Sequence, residues 1–171
     1  MKKINFYEIP DEGLSLYLDD PSWFPEDMEH QGVVSAEVHL KRLGERVVVA
    51  GKISATVVFE CDRCLEKYDQ ELDSRFNIDL ELLDEENVLA EERDHFFHDE
   101  EMDMDFLHDS EIDIVDILQQ QVILALPMKK MCSEKCRGIC PGCGANLNLN
   151  ECECKTEKDS PFSILSKLKV K

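Results

Sequence analysis

Positive charge is scarce in this sequence. Its 171 residues hold 19 Lys and Arg against 38 Asp and Glu, a formal charge of −19 at pH 7. Such a surface repels phosphate backbones, so the molecule as a whole is unsuited to non-specific nucleic-acid binding. Long apolar runs are missing as well. No stretch approaches the roughly 20 apolar residues that a membrane span needs. Met1-Lys2-Lys3 leads into no apolar segment, and Asp11, Glu12, Asp19 and Asp20 follow early, unlike a secretory signal. A cytoplasmic protein with no membrane partner is expected. H-E-x-x-H, G-x-x-x-x-G-K and G-x-S-x-G do not occur. These are patterns of zinc peptidases, phosphate-binding loops and serine hydrolases, so neither an enzyme nor a small-molecule substrate is expected.

Cysteine, by contrast, is abundant. Six of the eight fall within 23 residues, at Cys132, Cys136, Cys140, Cys143, Cys152 and Cys154, and Cys61 and Cys64 make a separate C-x2-C pair. In a reducing compartment such clusters point to metal rather than to disulfides. The Cys140-Pro141-Gly142-Cys143-Gly144 segment suits the purpose. Its turn aims backbone N–H groups at the first sulfur, and Gly144 permits a positive φ. The economical partition is two structural zinc ions in closed four-cysteine shells. Cys140, Cys143, Cys152 and Cys154 would form a local site, with Asn146, Leu147, Asn148 and Asn150 shaping its loop. Cys132 and Cys136 would join Cys61 and Cys64 across the 67 intervening residues, stapling a hairpin tip to the end of a helix. Iron–sulfur ligation, a redox Cys61-x2-Cys64 pair and a second site using only three cysteines remain the competing uses. A redox pair normally opens a helix, however, whereas this one ends a strand. A thiol-based redox or metal-sensing protein is therefore the alternative function.

Charge is unevenly spread. Between Asp84 and Glu111, thirteen acidic residues face only Arg93, whereas nine Lys and Arg outnumber five Asp and Glu from Pro127 onward. A zinc bound by four thiolates carries about −2, so the basic tail first offsets its own metal sites. His95 and His98 would share a face if helical, but an acidic loop with scattered histidines is the simpler reading.

Periodicity predicts a β-rich fold. Ile4, Phe6, Leu14, Leu16 and Leu18 fit short strands around a Pro10–Gly13 turn, and Trp23 and Phe24 a loop that tucks onto the sheet. Val34, Ala36, Val38 and Leu40 alternate with polar residues. Gly44-Glu45 turns the chain, and Val47, Val49, Gly51, Ile53, Ala55, Val57 and Phe59 continue in register to Cys61. Gly51 is a candidate bulge or bend. Phe76, Ile78, Leu80 and Leu82 mark the returning strand. Ser110-Glu111-Ile112-Asp113 caps a helix carrying Ile114, Ile117, Leu118, Val122 and Ala125, which stops before Pro127. A short helix with a lysine-rich last turn is expected after Pro161. The expected class is α+β: an antiparallel β-rich domain, as a twisted sheet or partly open barrel, with one packed helix and a C-terminal Cys-rich zinc knuckle. Residues 1–127 form the first domain, with an acidic loop at 84–111, and residues 128–171 the second.

Taken together, Phe59-Glu60-Cys61-Asp62-Arg63-Cys64-Leu65, Leu124-Ala125-Leu126-Pro127, the Cys136–Asn148 run, Cys152-Glu153-Cys154 and the tail from Asp159 to Lys169 resemble the YceD family. Ser160-Pro161-Phe162 stands where many members have Asp-Pro-Arg. The resemblance implies a bacterial or organellar accessory factor linked to accumulation of large-subunit ribosomal RNA. Its implied partners are precursor large-subunit RNA or an assembling large-subunit particle, and the acidic charge adds a basic ribosomal protein as a further candidate.

Overall fold

Two-residue periodicity builds the largest element. The computed structural model describes residues 3–82, 104–107 and 109–154. Val34, Ala36, Val38 and Leu40 are buried on β3 (His30–Leu43), while Glu37 and His39 between them and Lys41 after them are exposed. On β4 (Arg46–Glu60), Val47, Val49, Ile53, Ala55, Val57 and Phe59 are buried. Gly44, at φ +71°, closes the turn that sets Leu43 opposite Arg46. β5 (Lys67–Leu82) buries Leu72, Phe76 and Leu80. Burial on one face of each strand supplies the driving force, at about 25 cal/mol per Å² of apolar surface.

The sheet runs in the linear order β2-β3-β4-β5-β6, with β2 spanning Leu14–Leu18 and β6 spanning Met104–Leu107. β2–β3 and β3–β4 are antiparallel, whereas β5–β6 is parallel, with Asp79 opposite Met104 and Leu82 opposite Leu107. A separate antiparallel ribbon joins β1 (Lys3–Asn5) to β7 (Glu111–Asp113), with Ile4 opposite Ile112. The Pro10–Gly13 turn thus separates strands of two different sheets.

One α-helix lies among the described residues, α1 (Ile114–Ala125). Asp113 caps it, its carboxylate accepting from the N–H groups of Val115 at 3.0 Å and Asp116 at 3.3 Å. Ile114, Leu118 and Val122 form its buried stripe, at the spacing of one helical face. It packs against β1 and the Pro21–Trp23 turn. Trp23 is fully buried there and meets Phe24 edge-on, with ring centroids 5.7 Å apart. Leu126 ends the helix ahead of Pro127. The class is α+β, mostly antiparallel.

Two local expectations change. The acidic stretch is not loop throughout. Met104–Leu107 and Glu111–Asp113 are strands, because the sheet edge and β1 offer hydrogen-bond ladders that charge patterning does not reveal. Residues 83–103, with His95 and His98, lie outside the described residues, as does the tail 155–171 with its expected helix. Gly51 makes no bulge. It pairs in register with Val38, and the register shift falls between Gln31 and Ser35. Gly51 is instead a space requirement: a Cβ there would stand 2.5 Å from Phe76 Cζ and 2.7 Å from the Glu37 carbonyl oxygen.

The chain forms two compact units, one from Met1–Phe59 and Asp69–Met128, the other from Glu60–Tyr68 and the chain from Lys129 onward. The 60–68 segment therefore groups with the cysteine-rich part, because its two cysteines cluster there.

Gly51→Ala should lower stability by about 1–3 kcal/mol through overpacking, read as a lower urea midpoint. Adding Phe76→Leu should recover part of the loss. An unchanged midpoint for Gly51→Ala would contradict the assigned contact.

Candidate metal centres

β4 ends at Glu60, and Cys61, the next residue, is fully buried. A tight turn follows. The Cys61 N–H donates to the Glu66 carbonyl at 2.9 Å, the Leu65 N–H donates to the Cys61 carbonyl at 2.9 Å, and Leu65 takes φ +60°. That left-handed conformation is unusual for a branched residue. It turns the chain after Cys64 so that Glu66 can pair with Cys61.

Asp62 then clamps the incoming segment. Its N–H donates to the Lys130 carbonyl at 2.7 Å, and its carboxylate accepts from the Lys130 N–H at 2.8 Å. Arg63 binds further along. Its carbonyl accepts from the Ile139 N–H at 3.0 Å, and its guanidinium donates to the Cys136 carbonyl at 3.0 Å. Gly138 permits this approach with φ +74°, since a Cβ would stand 3.0 Å from the Arg63 carbonyl oxygen. As a result Cys61 and Cys136 bring their sulfurs to 3.8 Å, and Cys64 and Cys132 to 3.7 Å. All four sulfurs lie within 4.8 Å of one another. Cys61, Cys64 and Cys136 are buried, Cys132 is exposed, and Tyr68 packs against the cluster.

The second quartet is built locally. The Gly142 N–H points at Cys140 Sγ at 3.4 Å, and the Gly144 N–H donates to the Cys140 carbonyl at 2.8 Å, with Gly144 at φ +73°. The Cys140 N–H reaches the Ala145 carbonyl at 2.8 Å, and an isolated bridge pairs Ile139 with Asn146. The sulfurs of Cys140, Cys143, Cys152 and Cys154 also lie within 4.8 Å of one another. Here Cys140 is buried, Cys152 half-buried, and Cys143 and Cys154 exposed.

These distances suit a metal shell. Sulfurs at about 2.3 Å from a tetrahedral ion stand about 3.8 Å apart, whereas a disulfide joins them at about 2.05 Å. None of the eight cysteines forms a disulfide. Each quartet can therefore hold one thiophilic cation.

The electrostatics divide each quartet. The Cys132 N–H, at 3.4 Å, is the main influence pulling Cys61 down to about 6. The N–H groups of Cys143 and then Gly142 pull Cys140 down to about 6. Cys136 is also lowered, first by the Asn148 side-chain amide. Four cysteines move the opposite way. Cys132 is pushed up to about 12, first by loss of water around its sulfur and then by Cys136 and Cys64, although the residue as a whole stays exposed. Cys154 rises to about 12 beside Cys143, and Cys152 rises beside Cys140. The Glu66 N–H draws Cys64 down, but burial and the Cys61 and Cys136 sulfurs outweigh it and leave Cys64 raised.

Several supporting residues carry no signal in a cysteine count. They are Asp62, Arg63 and Asn148, whose amide donates to Cys136 Sγ at 3.3 Å. Only their position between or beside the cysteines hints at them. No helix among the described residues is long and apolar enough to cross a membrane.

The sequence model described as "Large ribosomal RNA subunit accumulation protein YceD" matches residues 49–169, a span holding all eight cysteines. Among curated proteins, the chain is similar to "Large ribosomal RNA subunit accumulation protein YCED homolog 1, chloroplastic" of Arabidopsis thaliana, 29% identical over 160 residues, covering 80% of this chain and 48% of the relative. The maize protein of the same name is 28% identical, with coverage of 77% and 52%. "Large ribosomal RNA subunit accumulation protein YceD" of Haemophilus influenzae is 30% identical over 135 residues, with coverage of 73% and 67%. The chain thus spans about half the length of the two plant relatives. No solved structure matches it.

A divalent cation entering either quartet must displace the protons held by raised thiols. At pH 7 these are Cys64 and Cys132 in one quartet and Cys152 and Cys154 in the other. Loading should therefore release at least two protons per quartet, and affinity should fall as pH falls. Calorimetry in two buffers of different ionisation enthalpy reads the number directly. Release of fewer than two protons per quartet would contradict the thiol arrangement.

Proposed function

Since this chain belongs to the YceD family of large ribosomal RNA subunit accumulation proteins, we propose that it is a non-enzymatic accessory factor in large ribosomal subunit biogenesis. Two structural zinc ions hold its cysteine-rich unit together as a zinc knuckle. The family match over residues 49–169 carries the ribosomal reading, since it covers the β4–β5 turn and both quartets.

Cysteine spacing and sulfur geometry support zinc. Cys61, Cys64, Cys132 and Cys136 would hold one ion, and Cys140, Cys143, Cys152 and Cys154 the other. Four thiolates complete a tetrahedral shell and leave no open position for a substrate, which suits a structural role rather than catalysis. Zinc offers no redox chemistry of its own; bound here it would supply cross-linking and charge neutralisation.

Charge guides the choice of partner. Two filled quartets, at about −2 each, would take the chain from −19 to about −23. Such a molecule would approach an assembling particle best through a basic ribosomal protein, or through a partner that screens the RNA phosphates. The proposed setting is cytoplasmic, on precursor large-subunit particles. The alternative is thiol-based sensing, favoured by the exposed Cys143 and Cys154.

Metal analysis of the purified chain should find about two zinc ions, with thiols silent to a colorimetric reagent until a chelator is added. Metal-free protein with a reversible Cys61–Cys64 disulfide would overturn the zinc reading in favour of sensing. Pull-down from cell extract across a salt series should enrich precursor large-subunit particles over mature ribosomes. No enrichment at any salt concentration would refute the ribosomal role.

A further inference from the structure

Asn148 belongs by sequence to the loop between Cys143 and Cys152, yet its side chain serves the other quartet. Its amide nitrogen donates to Cys136 Sγ at 3.3 Å and to Asn146 Oδ1 at 3.0 Å. Its amide oxygen accepts from the Arg137 N–H at 2.7 Å. Both donors and the acceptor are thus engaged. A flipped amide would turn its NH2 on the Arg137 N–H and its oxygen on a sulfur, so the network itself orients the group.

The surrounding backbone fastens the same loop to the same segment. The Asn148 N–H donates to Asn146 Oδ1 at 2.9 Å, and the Leu147 N–H donates to the Gly138 carbonyl at 2.9 Å. Asn146 Nδ2 reaches Glu66 Oε1 at 3.2 Å, back on the turn that carries Cys61 and Cys64. The loop that must be ordered to gather Cys140, Cys143, Cys152 and Cys154 is therefore the loop that presents a hydrogen-bond donor to Cys136.

We infer that the two quartets are energetically coupled, and that Asn148 is the positioning residue that couples them. This rests on the reading that each quartet binds zinc. Zinc in the second quartet orders the 145–151 loop and sets the Asn148 amide against Cys136. A donor on a metal-bound thiolate stabilises its charge and fixes its orientation, and such supporting groups typically change metal affinity about 10–100-fold. Because coupling between binding sites is reciprocal, zinc in the first quartet must tighten the second by the same factor.

A thermodynamic cycle on the full chain tests this. Zinc affinity of the first quartet is measured by chelator competition in the unaltered chain, in Cys143→Ser/Cys154→Ser, in Asn148→Ala, and in the three substitutions combined. The double serine variant and Asn148→Ala should each weaken the first quartet by about 10–100-fold, and the combined variant should be little weaker than either. Asn148→Asp keeps the acceptor for the Arg137 N–H and removes the donor to sulfur. It should behave like Asn148→Ala or worse, and should shift the cadmium-113 resonance of the first quartet in cadmium-loaded protein. A purely structural role for the side chain would let Asn148→Asp bind normally with that resonance unmoved. Amide spectra of the sheet unit confirm that each variant folds.

Additive losses, or equal first-quartet affinity with and without the second quartet, would overturn the coupling. Unaltered affinity in both Asn148 variants would overturn the role of that residue. An unaltered chain that binds no zinc would remove the underlying reading and the inference together. Two zinc ions bound independently would overturn the inference alone.

Discussion

Four thiols held within 4.8 Å of one another impose a constraint on which the cysteine-rich unit depends. Two thiolates about 4 Å apart repel by about 4 kcal/mol at the effective dielectric of a protein surface, so a quartet cannot ionise fully without a cation among its sulfurs. Each quartet answers in part through backbone N–H groups. One sulfur, Cys61 or Cys140, is drawn down to about 6, while Cys132 and Cys154 are driven up to about 12. A cation of the right size relieves the opposition, and the hydrogen bonds around the sulfurs hold the frame that receives it.

Asp62 and Arg63 are central to that frame. Both lie between Cys61 and Cys64, and each binds the backbone of the segment that carries Cys132 and Cys136. Residues far apart in sequence thereby become neighbours through hydrogen bonds to the main chain of the partner segment, where Gly138 leaves room for the Arg63 carbonyl. A donor set made only of sulfur, in which all four groups can face one ion, suits a closed shell. A family role in ribosomal RNA accumulation is compatible with such a part, because assembly factors act through surfaces and shape. The acidic charge bears on the same point, since it turns attention from direct phosphate binding to basic protein partners.

The sheet unit rests on ordinary burial. Alternating apolar residues on β3 and β4 share one face, and the space left by Gly51 admits the Phe76 ring. The Asp113 cap and the Ile114, Leu118 and Val122 stripe settle where α1 starts and which face it buries. Trp23 and Phe24 show how a short aromatic segment, awkward to read from periodicity, becomes core when a turn folds it inward.

What the sequence alone determined is what a few neighbouring residues encode. The alternation of Val34 to Leu40 and Val47 to Phe59, the Gly44 and Gly144 turns, the helix ended by Pro127, and the Cys140–Cys143 hook are all local, and all were legible. The acidic segment was read by its charge and so missed β6 and the start of β7 at Glu111, because strand pairing depends on an available edge rather than on net charge. Gly51 suggested a bulge, because nothing nearby in sequence announces the ring of Phe76. The spacing of cysteines grouped Cys140, Cys143, Cys152 and Cys154 as a local quartet and put Cys132 and Cys136 with Cys61 and Cys64, with a site of only three of those cysteines as its competitor. Only the tertiary structure brought all four of those sulfurs within 4.8 Å of one another and set Asn148, from the loop between Cys143 and Cys152, against Cys136. The physical reason is that spacing is written along the chain, whereas a shell of four sulfurs is closed by hydrogen bonds between segments the chain holds far apart.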